Sequence, residues 1–107
     1  MNPPETYSTR PVSGMSEIRS RMRRVMPRLR LRYGVEQLGV FGSYARGEQT
    51  GGSDVDLLVT FSEKPDLFDY AALERDIEGV LGRSVDLGTP GELRSFVRKD
   101  VEEVRYL

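Results

Sequence analysis

Two short stretches of this sequence carry groups able to do chemistry. The first is Gly42-Ser43-Tyr44-Ala45-Arg46-Gly47. The second, ten residues after Ser43, is the Asp-x-Asp of Ser53-Asp54-Val55-Asp56-Leu57-Leu58-Val59. A glycine lets backbone approach an anion with no Cβ in the way. Consecutive amides in a tight turn make an anion-binding concavity, and the Ser43 hydroxyl adds a donor. Arg46 offers a charged fork to a phosphate oxygen. Taken alone, a Gly-Ser turn is an ordinary loop. The paired aspartates are sharper evidence. Alternate side chains of a strand share a face, so Asp54 and Asp56 point the same way with Cα atoms roughly 6.5–7 Å apart. Like charges so placed repel unless a cation sits between them. Mg2+ takes oxygen ligands and is commonly held by one or two carboxylates plus substrate phosphates. An isolated Asp-x-Asp also reads as a solvated turn; beside the Gly-Ser loop, the metal reading gains. Together the two stretches point to chemistry on a nucleoside triphosphate.

Asp86 is a third carboxylate, alternating with Val85 and Leu87 in a short apolar run. If that strand lies beside the one carrying Asp56, all three carboxylates share a face. Such a set suits a two-metal site. One metal would hold the triphosphate and the other would lower the pKa of an attacking hydroxyl, with Asp86 as ligand or general base. The sequence has no histidine and no cysteine. Imidazole ligands, thiolate metal sites, disulfides and His-activated nucleophiles are therefore excluded, and carboxylates are what remains for metal binding or base work. Phosphoryl-type transfer needs chiefly positioning and charge neutralisation, so histidine is not required.

The elements that must position these groups are legible in outline. Residues 1–14 are rich in Pro, Ser and Gly and read as a disordered leader, leaving 15–107 as one domain. A helix is expected from about Ser16, capped by Ser13 or Ser16, with Ile18, Met22, Val25, Met26, Leu29 and Tyr33 as its apolar stripe. Pro27 should kink it or open a second helix, and Gly34 should end it. Val35 to Phe41 reads as a first strand, Gly42–Gly52 as a loop, and Asp54 to Phe61 as a second strand. Asp66 should cap a helix running to about Leu81, with Gly82 as its stop. Ser84 to Leu87 makes a short third strand. Leu93, Phe96, Val97, Val101, Val104 and Leu107 fit a C-terminal helix, either continuous or broken near Arg98–Asp100.

The 107 residues carry 16 basic and 17 acidic side chains, a net charge of −1. That balance points neither toward nor away from nucleic acid. Seven arginines nevertheless crowd Arg19–Arg32. The cluster reads either as a surface for nucleic acid or an acidic partner, or as the solvated side of an amphipathic helix. The second reading is preferred because no aromatic residues interleave, and direct nucleic-acid binding is not expected. No run approaches the roughly 18 apolar residues of a membrane helix, and the N-terminus lacks the apolar core of a signal peptide. A cytoplasmic protein is the expectation.

The combined pattern resembles the signature of the polymerase β-like nucleotidyltransferase superfamily, and specifically its minimal nucleotidyltransferase (MNT) branch. The residues that carry the resemblance are Phe41 to Gly47, Ser53 to Val59 and Gly82-Arg83-Ser84-Val85-Asp86-Leu87, within a match from about Tyr33 to Pro90. It implies an α+β fold, a small mixed β-sheet with flanking helices. Gly42 and Ser43 would contact the triphosphate, with Arg46 and Ser53 in the nucleotide-binding set. Asp54 and Asp56 would bind Mg2+, and Asp86 would complete the catalytic triad. ATP is the implied substrate; base preference is not written in the residues. Small members of this branch are commonly antitoxins that transfer AMP to a tyrosine of a HEPN-domain ribonuclease toxin. Two other readings stay open: an antitoxin that neutralises its partner by binding alone, and a small-molecule nucleotidyltransferase.

Overall fold

In the computed structural model, residues 9–93 and 104–107 are described. Helix α1 spans Met15–Tyr33 because Ile18, Met22, Met26, Leu29 and Tyr33 recur at helical spacing, and all five are buried. Pro27 lies inside this single helix and does not divide it. Proline removes one amide donor, but the apolar stripe continues on both sides of it and keeps the two halves on one surface. Gly14 occupies the N-cap with no side-chain bond, so neither expected serine caps the helix. Instead Glu17 reaches back, its Oε1 accepting from the Ser13 amide at 2.9 Å and the Ser13 hydroxyl at 2.6 Å. Gly34 closes the other end, its amide donating to the Arg30 carbonyl at 3.0 Å.

Strand β1 is Val35–Phe41, with the bounds expected from the sequence. The chain then turns into a short helix α2, Gly42–Arg46, where a loop was expected. Strand β2 is Val55–Phe61, beginning one residue after Asp54. Helix α3, Leu67–Leu81, starts at Asp66, whose Oδ1 accepts from the Asp69 amide at 2.8 Å. Strand β3 is Val85–Gly88, followed by a single turn α4, Pro90–Leu93. The predicted C-terminal helix fails at its end: Arg105–Tyr106 form strand β4. Its middle, residues 94–103, lies outside the described residues. Short β4 finds backbone partners on the free edge of β1, which a helix there would leave unpaired.

The sheet order is β3-β2-β1-β4, with β1/β2 and β1/β4 antiparallel and β2/β3 parallel. This is the mixed sheet with flanking helices that the α+β reading implies. One face carries Leu38, Val40, Val55, Leu57, Val59, Val85 and Leu87, which join the α1 stripe and Leu73, Ile77 and Leu81 of α3 in one core. No helix among the described residues is long and apolar enough to cross a membrane.

The leader expected over residues 1–14 is corrected in its second half; residues 1–8 lie outside the described residues. Val12 is fully buried in the core, and its amide donates to the Leu81 carbonyl at 2.9 Å. One well-placed apolar side chain fixes a segment whose Pro and Ser content reads as disorder.

The arginines of α1 divide into two groups. Arg28 pairs with Asp76 of α3. Arg21 donates to the carbonyls of Arg10 and Val80, and Arg19 to that of Tyr106. These three tie α1 to its neighbours. Arg23, Arg24 and Arg30 are exposed, in keeping with a solvated side.

Two outcomes are expected. Leu57→Ala, at the centre of the core, should lower unfolding free energy by about 2–5 kcal/mol in urea denaturation. The Ser13 hydroxyl, then the Ser13 amide, hold Glu17 below its ordinary value of 4.5. A depressed carboxyl contributes stability above that value and loses it as pH falls through the lowered one. NMR titration of Glu17 in Ser13→Ala should therefore show its pKa moving up.

Candidate active site

The strand register builds the site. Asp56 is paired with Phe41 on one side and Asp86 on the other. Directly paired residues point to the same face of a sheet, so Asp56 and Asp86 stand side by side. Their face is opposite the one that receives α1 and α3, because Val55 and Leu57, the neighbours of Asp56, enter the core. Asp54 precedes the strand. It and Asp86 are exposed, while Asp56 is half-buried.

Gly42 follows Phe41, and its backbone closes on the Asp56 carboxylate. A Cβ at position 42 would overlap Asp56 Oδ2, and φ of +72° is in the left-handed region. Both facts demand glycine. The residue read from sequence as a phosphate contact is thus also what makes room for Asp56. Ser43 is half-buried in the first turn of α2, next to this contact.

The other two nucleotide-site candidates are engaged locally. Arg46 is exposed, and its Nε pairs with Glu48 Oε1 at 2.9 Å. Ser53 closes a turn, its Oγ accepting from the Thr50 amide at 2.8 Å. Among the described residues, no group of three acidic side chains converges closely enough to hold a metal ion by itself. Asp56 and Asp86 are brought to one face, while Asp54, expected to share it as part of the strand, lies one residue before β2.

Sequence reasoning gave no role to Arg83, named only within the resemblance motif, and passed over Gln49. Arg83 Nε donates to the Val12 carbonyl at 2.6 Å and Nη1 to the Gly51 carbonyl at 2.9 Å. Gln49 Nε2 donates to the Ser13 carbonyl at 2.8 Å. Their partners are backbone atoms far away in the chain, so no spacing rule could mark them.

A cavity of about 640 Å³ lies away from the carboxylates, between α1 and α3, where Arg28, Arg32, Tyr33, Arg75 and Asp76 line it. Burial, then the charge of Asp76, pushes the Tyr33 phenol above 10.0, and its hydroxyl donates to Asp76 Oδ2 at 3.1 Å. With Asp76 joined to both Arg28 and Tyr33, this region reads as a seam between helices.

The nucleotidyltransferase domain family matches residues 21–107, and the chain belongs to that family. It is 45% identical over 94 residues, 87% of this chain and 95% of the relative, to protein adenylyltransferase MntA of Thermococcus cleftensis. A solved structure described as a minimal nucleotidyltransferase superposes with TM-score 0.70 at 37% identity, covering 89% of this chain and 95% of that one. A toxin–antitoxin structure with AMP-PNP shares the fold at TM-score 0.61 and 22% identity, covering 85% and 69% of the two chains.

Gly42→Ala should cost about 1–3 kcal/mol of stability from the left-handed backbone alone and should push Asp56 aside. Chemical denaturation together with a crystal structure of the variant checks both. A variant with parent stability and an unmoved Asp56 would contradict the account of Gly42.

Proposed function

We propose that this member of the nucleotidyltransferase family moves AMP from ATP to a tyrosine hydroxyl of a partner HEPN ribonuclease toxin, with Mg2+, and so acts as its antitoxin. The observation that supports this most is the pairing of Asp56 with Asp86, with Gly42 closed on Asp56. The adenylyltransferase named among the relatives supports AMP as the transferred group. The AMP-PNP-bound toxin–antitoxin neighbour supports the same class of substrate and partner. A cytoplasmic location belongs to the same proposal.

In this reading the Gly42 and Ser43 amides and the Ser43 hydroxyl bind the triphosphate. Arg46 joins them by exchanging Glu48 for a phosphate oxygen, and Ser53 holds the loop in shape. Asp54 and Asp56 hold Mg2+, and Asp86 completes the triad. The donor set fits the ion, being all carboxylate oxygen in a chain without softer ligands. Because no three acids converge unaided, substrate phosphates supply further ligands. When bound there, Mg2+ neutralises charge on the phosphates. The tyrosine oxygen attacks the α-phosphorus of ATP. The bond from that phosphorus to the bridging oxygen breaks, and pyrophosphate leaves with the electron pair. The carboxylate of Asp86 takes the hydroxyl proton. The exposure of Asp86 suits a hydroxyl delivered from outside by another protein.

The test is intact-protein mass spectrometry of the co-expressed partner after incubation with ATP and Mg2+. The wild-type chain should add the mass of one or more AMP groups to the toxin. Asp56→Asn should slow this by more than about 100-fold, since outer partners of metal sites alone typically cost 10–100-fold. Intact complex with no added mass in the wild type would overturn catalysis in favour of neutralisation by binding.

A further inference from the structure

The loop between α2 and β2 delivers Asp54, yet little packing holds it. Added Cβ atoms at Gly51 and Gly52 would meet nothing within 4 Å. Such glycines are entropically costly to order, so the hydrogen bonds at the loop's ends decide where Asp54 stands. Besides the Thr50–Ser53 turn and the Gln49 tie to Ser13, two of those bonds come from adjacent residues. The Gly51 carbonyl accepts from Arg83 Nη1 at 2.9 Å, and the Val55 amide donates to the Ser84 carbonyl at 3.0 Å. Arg83 and Ser84 therefore clamp the loop on either side of Asp54, and two residues after Ser84 the chain reaches Asp86.

Arg83 is itself anchored. Its Nε donates at 2.6 Å to the Val12 carbonyl of the segment Thr9–Gly14. Buried Val12 and its bond to Leu81 hold that segment down. The segment crosses Gly82, where a Cβ would come within 2.7 Å of the Thr9 carbonyl oxygen and 3.0 Å of Pro11 Cα. Gln49 adds a second tie from the loop to the Ser13 carbonyl. A guanidinium fork can bridge two carbonyls at fixed separation, whereas a lysine ammonium is a single point of charge.

We propose that Arg83 is a positioning residue for Asp54, acting through the Gly51 carbonyl with the Thr9–Gly14 segment as its anchor. Its catalytic consequence rests on the adenylyltransferase reading above; its structural half does not. The first measurement is amide hydrogen exchange of the free chain, wild type against Arg83→Gln and Arg83→Lys. Exchange should rise at Ser53 and Val55, whose amides donate to the Thr50 and Ser84 carbonyls, in Arg83→Gln, and less in Arg83→Lys, while β1 and α3 stay protected. The second is AMP transfer by the complex. Arg83→Gln should lower kcat about 10–100-fold and raise the Mg2+ concentration for half-maximal rate, with KM for ATP little changed. Arg83→Lys should recover part of the loss. Unchanged loop exchange in Arg83→Gln overturns the proposal, as does exchange that rises equally through β1 and α3, which marks a merely structural role. If the wild type transfers no AMP, the function fails on its own, and the exchange data still decide whether Arg83 holds the loop.

Discussion

The contact between the Gly42 backbone and the Asp56 carboxylate is the constraint on which the site turns. Asp56 sits at the start of β2, between Phe41 at the end of β1 and Asp86 in β3. Any side chain at position 42 would occupy the space that its carboxylate fills. The same glycine turns the chain from β1 into α2. Turn geometry, the seat of the carboxylate and the start of the Gly-Ser segment are thus one structural event.

The sheet separates two kinds of energetics. One face is apolar and closed by α1 and α3, and the burial of side chains such as Leu57 and Ile77 supplies most of the stability. The other face keeps Asp86 exposed, and Asp54 just before β2 is exposed too, so their charges stay hydrated and repulsion is screened. The fold can therefore assemble with its carboxylates in place and without a bound cation. Placing them at the edge of the core, not inside it, avoids the large cost of burying unpaired charge.

Charge on the helical side works differently. The arginine-rich helix is bound to the rest of the fold by Arg19, Arg21 and Arg28, and Arg21 and Arg28 also meet acids, Glu17 and Asp76. Arg83 does related work across the Thr9–Gly14 segment and the glycine-rich loop. Long guanidinium side chains here satisfy carbonyls where segments meet, a role that total charge does not reveal.

The sequence by itself determined the parts governed by local rules. Short apolar runs set off by glycines located β1 and most of β2, the apolar stripe located α1, and Asp66 and Gly82 marked the limits of α3, since caps and periodicity act within a few residues. It also supplied the carboxylates and, in the absence of histidine and cysteine, the oxygen-ligand chemistry open to them. Tertiary structure decided the rest. The neighbourhood of Asp56 and Asp86 follows from β3 lying parallel beside β2, a pairing between strands separated by an entire helix. Val12 became core because a pocket formed for it, and the chain end became β4 because β1 had an open edge. Pro27 stayed within a helix because packing on both sides outweighed one missing donor. Arg83 found its carbonyl partners only once the Thr9–Gly14 segment and the loop had come together. Each of these depends on contacts distant in the chain, whose outcome is set by which surfaces meet and not by the residues on either side.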